Sequence, residues 1–444
     1  MLTMNNFDYR RALKITFLAV FVLLSVGGYS ALAKDTKDKS ECFDYYHFQS
    51  VDIDLHASGA HYKPGDQVKF VGFLTNENNY PLVGGSLILR VSRQNAVSNI
   101  GNDIVDEWVA KTDINLAPLE KQAVEAIYTL PSGTTAGTYI LASYFVTQEK
   151  FNISGLSFTD DIYGGYAVFD VEGSKEAFFR FDRAGVKVNG KSFNIFGFTD
   201  KVFPEDTEKL SIGVPLKNDG AKAISAKISY KLYYWDSADA DNLIESREEN
   251  IEIKSKSSKE LLWDLNVKDY PVYFLKIKAV GDGQNSEVHI RLIKKGFRPR
   301  LNFVGLTKFP LDGGGAKAFL CYHNVTDGKG AAKIELTLKN GKGEVIATKS
   351  KIATTTANIK LLSDRIGKKL NKLTLSAQIL NMDGEVLDKV DIKYDCSAFS
   401  RSLCSLWLNK GAYVYLWSGI ALLAAAALFY IYQRFIIKKK DVIV

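Results

Sequence analysis

The sequence predicts an all-β chain of three tandem sandwiches followed by one C-terminal transmembrane helix. Three observations lead there. Between Lys34 and Gly411, short runs rich in Val, Ile, Phe, Tyr and Thr recur between Gly, Asn and Asp turns, with no long stretch of helical period. The 444 residues exceed what one compact core holds and leave room for about three domains. Near the end, Ala412 to Tyr432 is an uncharged run of about 21 residues.

The N-terminus reads as a secretory signal peptide over residues 1–33. Arg10, Arg11 and Lys14 precede an apolar run from Ile15 to Val26, and Ala31-Leu32-Ala33 supplies the small-residue cleavage site before Lys34. At about 12 residues the apolar run is short for a hydrocarbon core of about 30 Å, although an uncleaved anchor is the alternative. The C-terminal run, 412–433, carries Tyr413, Tyr415 and Trp417 at its start and Tyr430 and Tyr432 at its close, as an aromatic belt at each interface requires. Lys438, Lys439 and Lys440 in the tail 434–444 place the C-terminus in the cytoplasm by the positive-inside rule. Both ends therefore predict a single-pass membrane protein with its N-terminus outside.

Composition narrows the function classes. The chain is 46% hydrophobic and 24% charged with a net charge of +7, which excludes a fully disordered or polytopic chain. The two flanking tails carry +2 and +3 of that charge, so the large middle holds only +2 and offers no basic face for nucleic acid.

Expected strands include Val68–Leu74, Gly85–Ser92, Tyr139–Thr147, Lys227–Trp235, Val272–Val280, Ala331–Leu338 and Leu373–Leu380. Asn189-Gly190, Asn340-Gly341 and Asp383-Gly384 are expected hairpin turns, because these dipeptides tolerate positive φ. Composition shifts at Val171–Ser174 and Lys294–Pro299 divide the body into units 34–172, 173–295 and 296–400, with a linker at 401–411.

In the first unit, Tyr62-Lys63-Pro64-Gly65-Asp66 leads into Val68–Phe73, and Leu130-Pro131-Ser132-Gly133 precedes Ala136-Gly137-Thr138-Tyr139. This pattern resembles the immunoglobulin-like and macroglobulin-like domains of bacterial membrane-anchored surface proteins, over roughly residues 45–172. The second unit, with Val214–Gly220 before a long strand pair, is similar to adhesion-type sandwiches found in series with such domains. The resemblance implies three immunoglobulin-like β-sandwiches on a membrane anchor and names no ligand.

The motifs that carry chemistry give little. Gly185–Ser192 matches the letters of a phosphate-binding loop, but Asn189-Gly190 stands between two strand-like runs where a helix N-terminus would be needed. Asp236, Asp239, Asp241, Asn242 and Glu245 form an acidic loop that misses the calcium-loop register. Of the five histidines, His47, His56, His61, His289 and His323, the His56–His61 interval could bring two imidazoles together, but no Cys or carboxylate sits at metal-ligand spacing beside them. No G-x-S-x-G elbow is present. No catalytic, cofactor or metal residue is assigned. Of the four cysteines, Cys396 shares strand parity with Val390, Ile392 and Tyr394, and Cys321 lies in a strand-like run of the same unit, so Cys321–Cys396 is the expected disulfide, with Cys396–Cys404 the alternative.

The expected function is thus non-enzymatic: a membrane-anchored extracytoplasmic protein whose sandwiches present loops to a protein or glycan partner outside the cell, its oligomeric state left open. The expected binding loops are the segments Gln94–Asp113 and Lys150–Tyr166, with Trp108, Phe151, Phe158, Asp160, Asp161 and Tyr163 as candidate contacts. The alternatives are an exported hydrolase with a carboxylate pair brought together in space, and a structural subunit of a surface assembly.

Overall fold

The computed structural model describes residues 51–398 apart from 77–80, 95–102, 147–149, 152–164, 174–178, 196–201, 235–239, 309–314, 325–327, 355–356 and 363–371, together with Gly419 and Leu422. The expected signal segment, the linker, the rest of 412–433 and the tail lie outside these residues, as do Phe158, Asp160, Asp161, Tyr163, Cys42 and Cys404. Among the described residues no helix is long and apolar enough to cross a membrane.

Alternation of apolar and polar side chains at period two produces strands, and strands dominate. The first third holds β1 (Val51–Ala57), β2 (His61–Tyr62), β3 (Gln67–Asn76), β4 (Leu82–Arg93), β5 (Asp103–Leu116), β6 (Lys121–Thr129), β7 (Gly137–Val146), β8 (Lys150–Phe151) and β9 (Gly165–Val171). The second holds β10 (Phe179–Phe181), β11 (Lys187–Val188), β12 (Lys191–Ser192), β13 (Val202–Phe203), β14 (Lys209–Asn218), β15 (Ile224–Tyr234), β16 (Leu243–Ile253), β17 (Ser257–Asn266), β18 (Val272–Gly281) and β19 (Gln284–Lys294). The third holds β20 (Pro299–Lys308), β21 (Lys317–Asn324), β22 (Ala332–Asn340), β23 (Val345–Ala353), β24 (Ala357–Leu362), β25 (Lys372–Leu380) and β26 (Val386–Asp395).

These strands form five sheets of immunoglobulin-like sandwich character. A sheet β1-β3-β6 covers β4, β7 and β9; β14 with β10, β11, β12 and β17 covers β15, β18 and β19; and β24-β21-β20 meets β23-β22-β25-β26. The second core is built from Phe179, Phe181, Ile212, Val214, Tyr230, Trp263, Ile277 and Ile290, among others, all nearly free of solvent. Pro215 sits inside β14 without breaking it. The β10 ladder stops at Leu216 and the β11 ladder starts at Gly213, so the missing N–H falls where the partner changes.

The three units do not stay separate. The first two share one ten-stranded sheet, ordered β16-β15-β18-β19-β5-β4-β7-β9-β2 with β13 also paired, in parallel, to β19, because β19 pairs antiparallel to β5 with Glu287 opposite Ile104. The first and third are also joined, since β8 pairs with β20, Phe151 opposite Phe303. Residues Tyr45–Cys404 make one compact unit.

Turn chemistry matches expectation at two of three dipeptides. Asn189 (φ 51°) and Gly190 (φ 72°) close the β11–β12 hairpin, so the phosphate-loop letters are a tight turn, and Gly384 (φ 91°) closes β25–β26. At Asn340-Gly341 the positive φ instead falls on Gly343, at 84°. The reason is the asparagine side chain. Asn340 Oδ1 accepts from Lys342 N and Glu344 N while its Nδ2 donates to Glu344, and Asn381 makes the same bonds with Asp383 and Glu385. The third sandwich thus uses one Asn-x-x-Gly-Glu turn twice.

Cys321 and Cys396 are both disulfide-bonded. Cys321 lies opposite Phe303, whereas Cys396 follows Tyr394, whose hydroxyl accepts from Leu306 N, and Asp388 at the start of β26 accepts from Leu301 N. The two cysteines therefore stand several residues apart along the sandwich, while a bond between them needs Cα atoms roughly 4.4–6.8 Å apart. The register favours partners other than each other. Non-reducing peptide mapping tests this directly: a peptide joining Cys321 to Cys396 would restore the sequence expectation.

Gly72 offers a test of the first sandwich. It lies opposite Leu55 in the β1–β3 ladder, and a Cβ there would sit 1.8 Å from the Asp54 carbonyl oxygen. Gly72→Ala should lower the denaturation midpoint by roughly 1–3 kcal/mol, with an unchanged slope against denaturant.

Candidate functional site

The feature with the densest chemistry lies where β5 meets β19. Alternation places Arg90 opposite Glu107 in the β4–β5 ladder and Lys276 opposite His289 in the β18–β19 ladder, so each pair shares one face of its sheet. The junction brings the two pairs together. Arg90 Nε donates to Glu107 Oε2 at 2.9 Å, and its Nη2 lies 2.7 Å from the same oxygen and 3.0 Å from His289 Nδ1. Lys276 Nζ bridges the two acids, 3.0 Å from Glu107 Oε1 and 2.9 Å from Glu287 Oε1. His289 Nε2 lies 2.6 Å from Glu287 Oε1.

A guanidinium only donates, so His289 Nδ1 is the acceptor and its proton resides on Nε2, facing Glu287. The imidazole is neutral, and the network balances two carboxylates with two cations. Most of it is buried, with Lys276 the most exposed member. Arg90 is 4% exposed, and Glu287 and His289 are each 1% exposed. Phe274 covers the imidazole edge-on, with ring centroids 5.4 Å apart. Burial works to raise the Glu287 carboxyl, but Lys276 and the His289 hydrogen bond prevail and hold it at about 2. Burial likewise opposes Glu107, and Arg90 and Lys276 bring it below its ordinary value. The same two carboxylates push the Lys276 ammonium up, against its own burial.

Glu107, Glu287 and His289 offer ligand atoms within 4.8 Å of one another, the only such group among the described residues. The donor set does not fit a metal. The Lys276 ammonium already stands between the carboxylates, and Arg90 occupies His289 Nδ1, so a divalent cation would have to displace a charge that the protein carries. The two acids are also close enough to suggest a hydrolase pair. Glu287 is sealed from solvent and only 6% of the Glu107 side chain is exposed, which leaves a sugar or peptide no room to reach both.

Beside the network, Lys278 Nζ lies 2.5 Å from Asp106, and Gly133 N donates to the Gly283 carbonyl at 2.8 Å. The latter contact is tight. Asp282 (φ 48°) and Gly283 (φ 70°) form the β18–β19 turn, and a Cβ on Gly133 would come within 2.5 Å of the Asp282 carbonyl. A small cleft of about 20 Å³ opens at the same seam, lined by Arg93, Asp103, Thr135, Arg180, Gln284 and Ser286 among others. Burial lifts the Asp103 carboxyl to about 6 despite Arg180, Arg183 and Arg93 nearby.

The residues expected to bind lie elsewhere. Trp108 is not in an irregular loop, because 103–113 of the expected loop segment belongs to strand β5. There it is half-buried and stacks on Tyr128 of β6, with centroids 4.9 Å apart at 18°. Phe151 sits in β8, paired with Phe303 of β20 in the third sandwich's sheet. Phe158, Asp160, Asp161 and Tyr163 fall outside the described residues. Sequence reasoning missed the seam because its partners are up to 199 positions apart, as with Arg90 and His289. The only local signal is the period-two spacing of Glu287, His289 and Arg291, alternating with Val288, Ile290 and Leu292.

No family model matches this sequence, and no curated protein matches it. Among solved structures, trypsin-activated alpha-2-macroglobulin from Escherichia coli is 12% identical, over 78% of this chain and 23% of its own, with a TM-score of 0.31. A Salmonella alpha-2-macroglobulin mutant is 10% identical over 80% and 23%, with a TM-score of 0.31. The Escherichia coli protein activated by porcine elastase is 11% identical over 78% and 30%, with a TM-score of 0.27. The chain spans less than a third of the length of each.

Three titrations or substitutions test the seam. Glu287 falls from 4.5 to about 2 on folding, so its contribution is complete above about pH 5 and is lost as the pH drops toward 2. The stability gap between the parent and Glu287→Gln, of order 3 kcal/mol from the titration alone, should close over that interval in denaturant melts read against pH. Asp103 carries the opposite sign. Its folded value lies above 3.8, so it destabilises the fold as pH rises through about 6, and Asp103→Asn should raise the midpoint at pH 7–8 while matching the parent below about pH 4. Trp108→Ala should cost roughly 1–3 kcal/mol of stability through the lost stack and cavity, measured by thermal melting.

Proposed function

We propose that this chain is a membrane-anchored extracytoplasmic protein that presents a rigid array of β-sandwiches for binding or scaffolding, without catalysis. One observation carries the reading: the first two sandwiches share a continuous sheet across β5 and β19, and the charges at that junction neutralise one another with both carboxylates nearly closed to solvent. An enzyme needs its charged groups open to a substrate, whereas a presenting arm needs them closed and its geometry fixed. The third sandwich is tied to the same body through β8 and β20. The N-terminal signal pattern, the apolar run 412–433 and the lysine tail support export and a single span with the N-terminus outside.

A protein or glycan outside the cell is the partner class this reading implies, and the segment 152–164 with Phe158, Asp160, Asp161 and Tyr163 remains the proposed contact. Charge reversal at Asp160 and Asp161 should weaken capture of that partner from intact cells by about 1–3 kcal/mol while leaving the melting temperature unchanged. Protease added outside the membrane should digest the body and spare a tag placed after Val444. Protection of the body, or hydrolytic turnover that disappears on replacing one carboxylate, would overturn the proposal.

A further inference from the structure

Two edge strands differ from the rest. Most edges in this fold alternate buried and exposed positions; β1 reads Val51, Ile53 and Leu55 inward and β6 does the same with Val124, Ala126 and Tyr128. In β16, by contrast, residues 246–250 are exposed without a break, and in β23 residues 348–352 are. Neither face of these stretches packs on a core, and among the described residues each strand is hydrogen-bonded on one side only, β16 to β15 and β23 to β22. Such an edge is a template for another strand. Both carry exposed apolar side chains as well: Leu243 and Ile244 on β16, and Val345 at 60% and Ile352 at 58% on β23.

Their charges are opposite. β16 contains Glu245, Glu248, Glu249 and Glu252 against Arg247, a net −3, and β23 contains Lys349 and Lys351 with no acid, a net +2. Two copies of β16 laid together would set glutamates against glutamates, and two copies of β23 would set lysines against lysines; like charges across a ladder repel. The only mutual pairing that the charges permit is β16 with β23.

We propose that β16 of one chain adds to β23 of a second copy, joining the ten-stranded sheet of one molecule to the β23-β22-β25-β26 sheet of the next. The contact is heterologous, because different surfaces meet, so each joined copy leaves one β16 and one β23 open and the assembly grows head to tail. Backbone hydrogen bonds supply the attraction, and the charge pattern selects the partner edge. This goes beyond the binding reading above and does not depend on it.

Sedimentation velocity of the full chain tests the proposal. The parent should form species larger than a dimer at about 0.01 M salt and dissociate toward about 1 M, where the screening length falls from about 30 Å to about 3 Å. The double variant Lys349→Glu/Lys351→Glu should sediment as a monomer, and so should Glu249→Lys/Glu252→Lys. All four positions are exposed, and unchanged melting curves would show that both variants fold. Mixed in equal amounts, the two variants should reassociate, because each now offers the edge charge the other needs. Association that persists in either variant alone, or that ignores salt, would overturn the proposal, as would a parent that stays monomeric at low salt.

Discussion

Taking a carboxylate out of water is costly unless cations leave water with it, and the junction between β5 and β19 satisfies that demand on both sides at once. Each sandwich brings one cation and one carboxylate to the set: Arg90 and Glu107 come from one, and Lys276 and Glu287, with His289, come from the other. Separation would take Lys276 from Glu107 and Arg90 from His289, and would expose Glu107 on a flat strand face. The bond geometry is therefore also a specification of angle: the two sandwiches meet where Lys276 can touch both acids, and a rotation of a few degrees would lengthen one contact at the expense of the other. Backbone pairing at Ile104 and Glu287, and the close approach of Gly133 to Gly283, lock the same register from either end of the junction. One Glu287 oxygen, Oε2, has no hydrogen-bond partner among the described residues, which shows how far the arrangement favours charge balance over complete satisfaction.

Much of the fold was legible because its causes are local. Period-two alternation in Val272–Val280 or Leu373–Leu380 can come only from a pleated strand with one wet face, and Asn189-Gly190 needs no tertiary partner to turn. Three kinds of feature were not legible, each because its cause lies far away in the chain. Residues 103–113 read as irregular, since Asp103, Asp106, Glu107 and Trp108 break the apolar pattern; all four are strand residues, and the partners of the last three, Lys278, Lys276 and Tyr128, belong to other strands. His289 read as one isolated histidine because Arg90 was 199 positions away. The turn at Asn340 was placed correctly but its positive φ was not, as an asparagine side chain took over the role expected of the following glycine. The candidate site lay in the least legible class: charged residues in strands, where composition suggests a wet surface and only the register reveals burial.

The short strand β8 sets the order in which this protein can be completed. Lys150 and Phe151 are made early, yet their partners Val304 and Phe303 follow about 150 residues later. At roughly 5–20 residues per second of synthesis, that segment waits on the order of ten seconds or more before its pairing surface exists. During this interval the backbone groups of Lys150 and Phe151 must be satisfied by water. The closing of β8 onto β20 is accordingly a late event, and it makes the arrival of the third sandwich the step that fastens a loop of the first. The molecule finishes its beginning only after its end has been made.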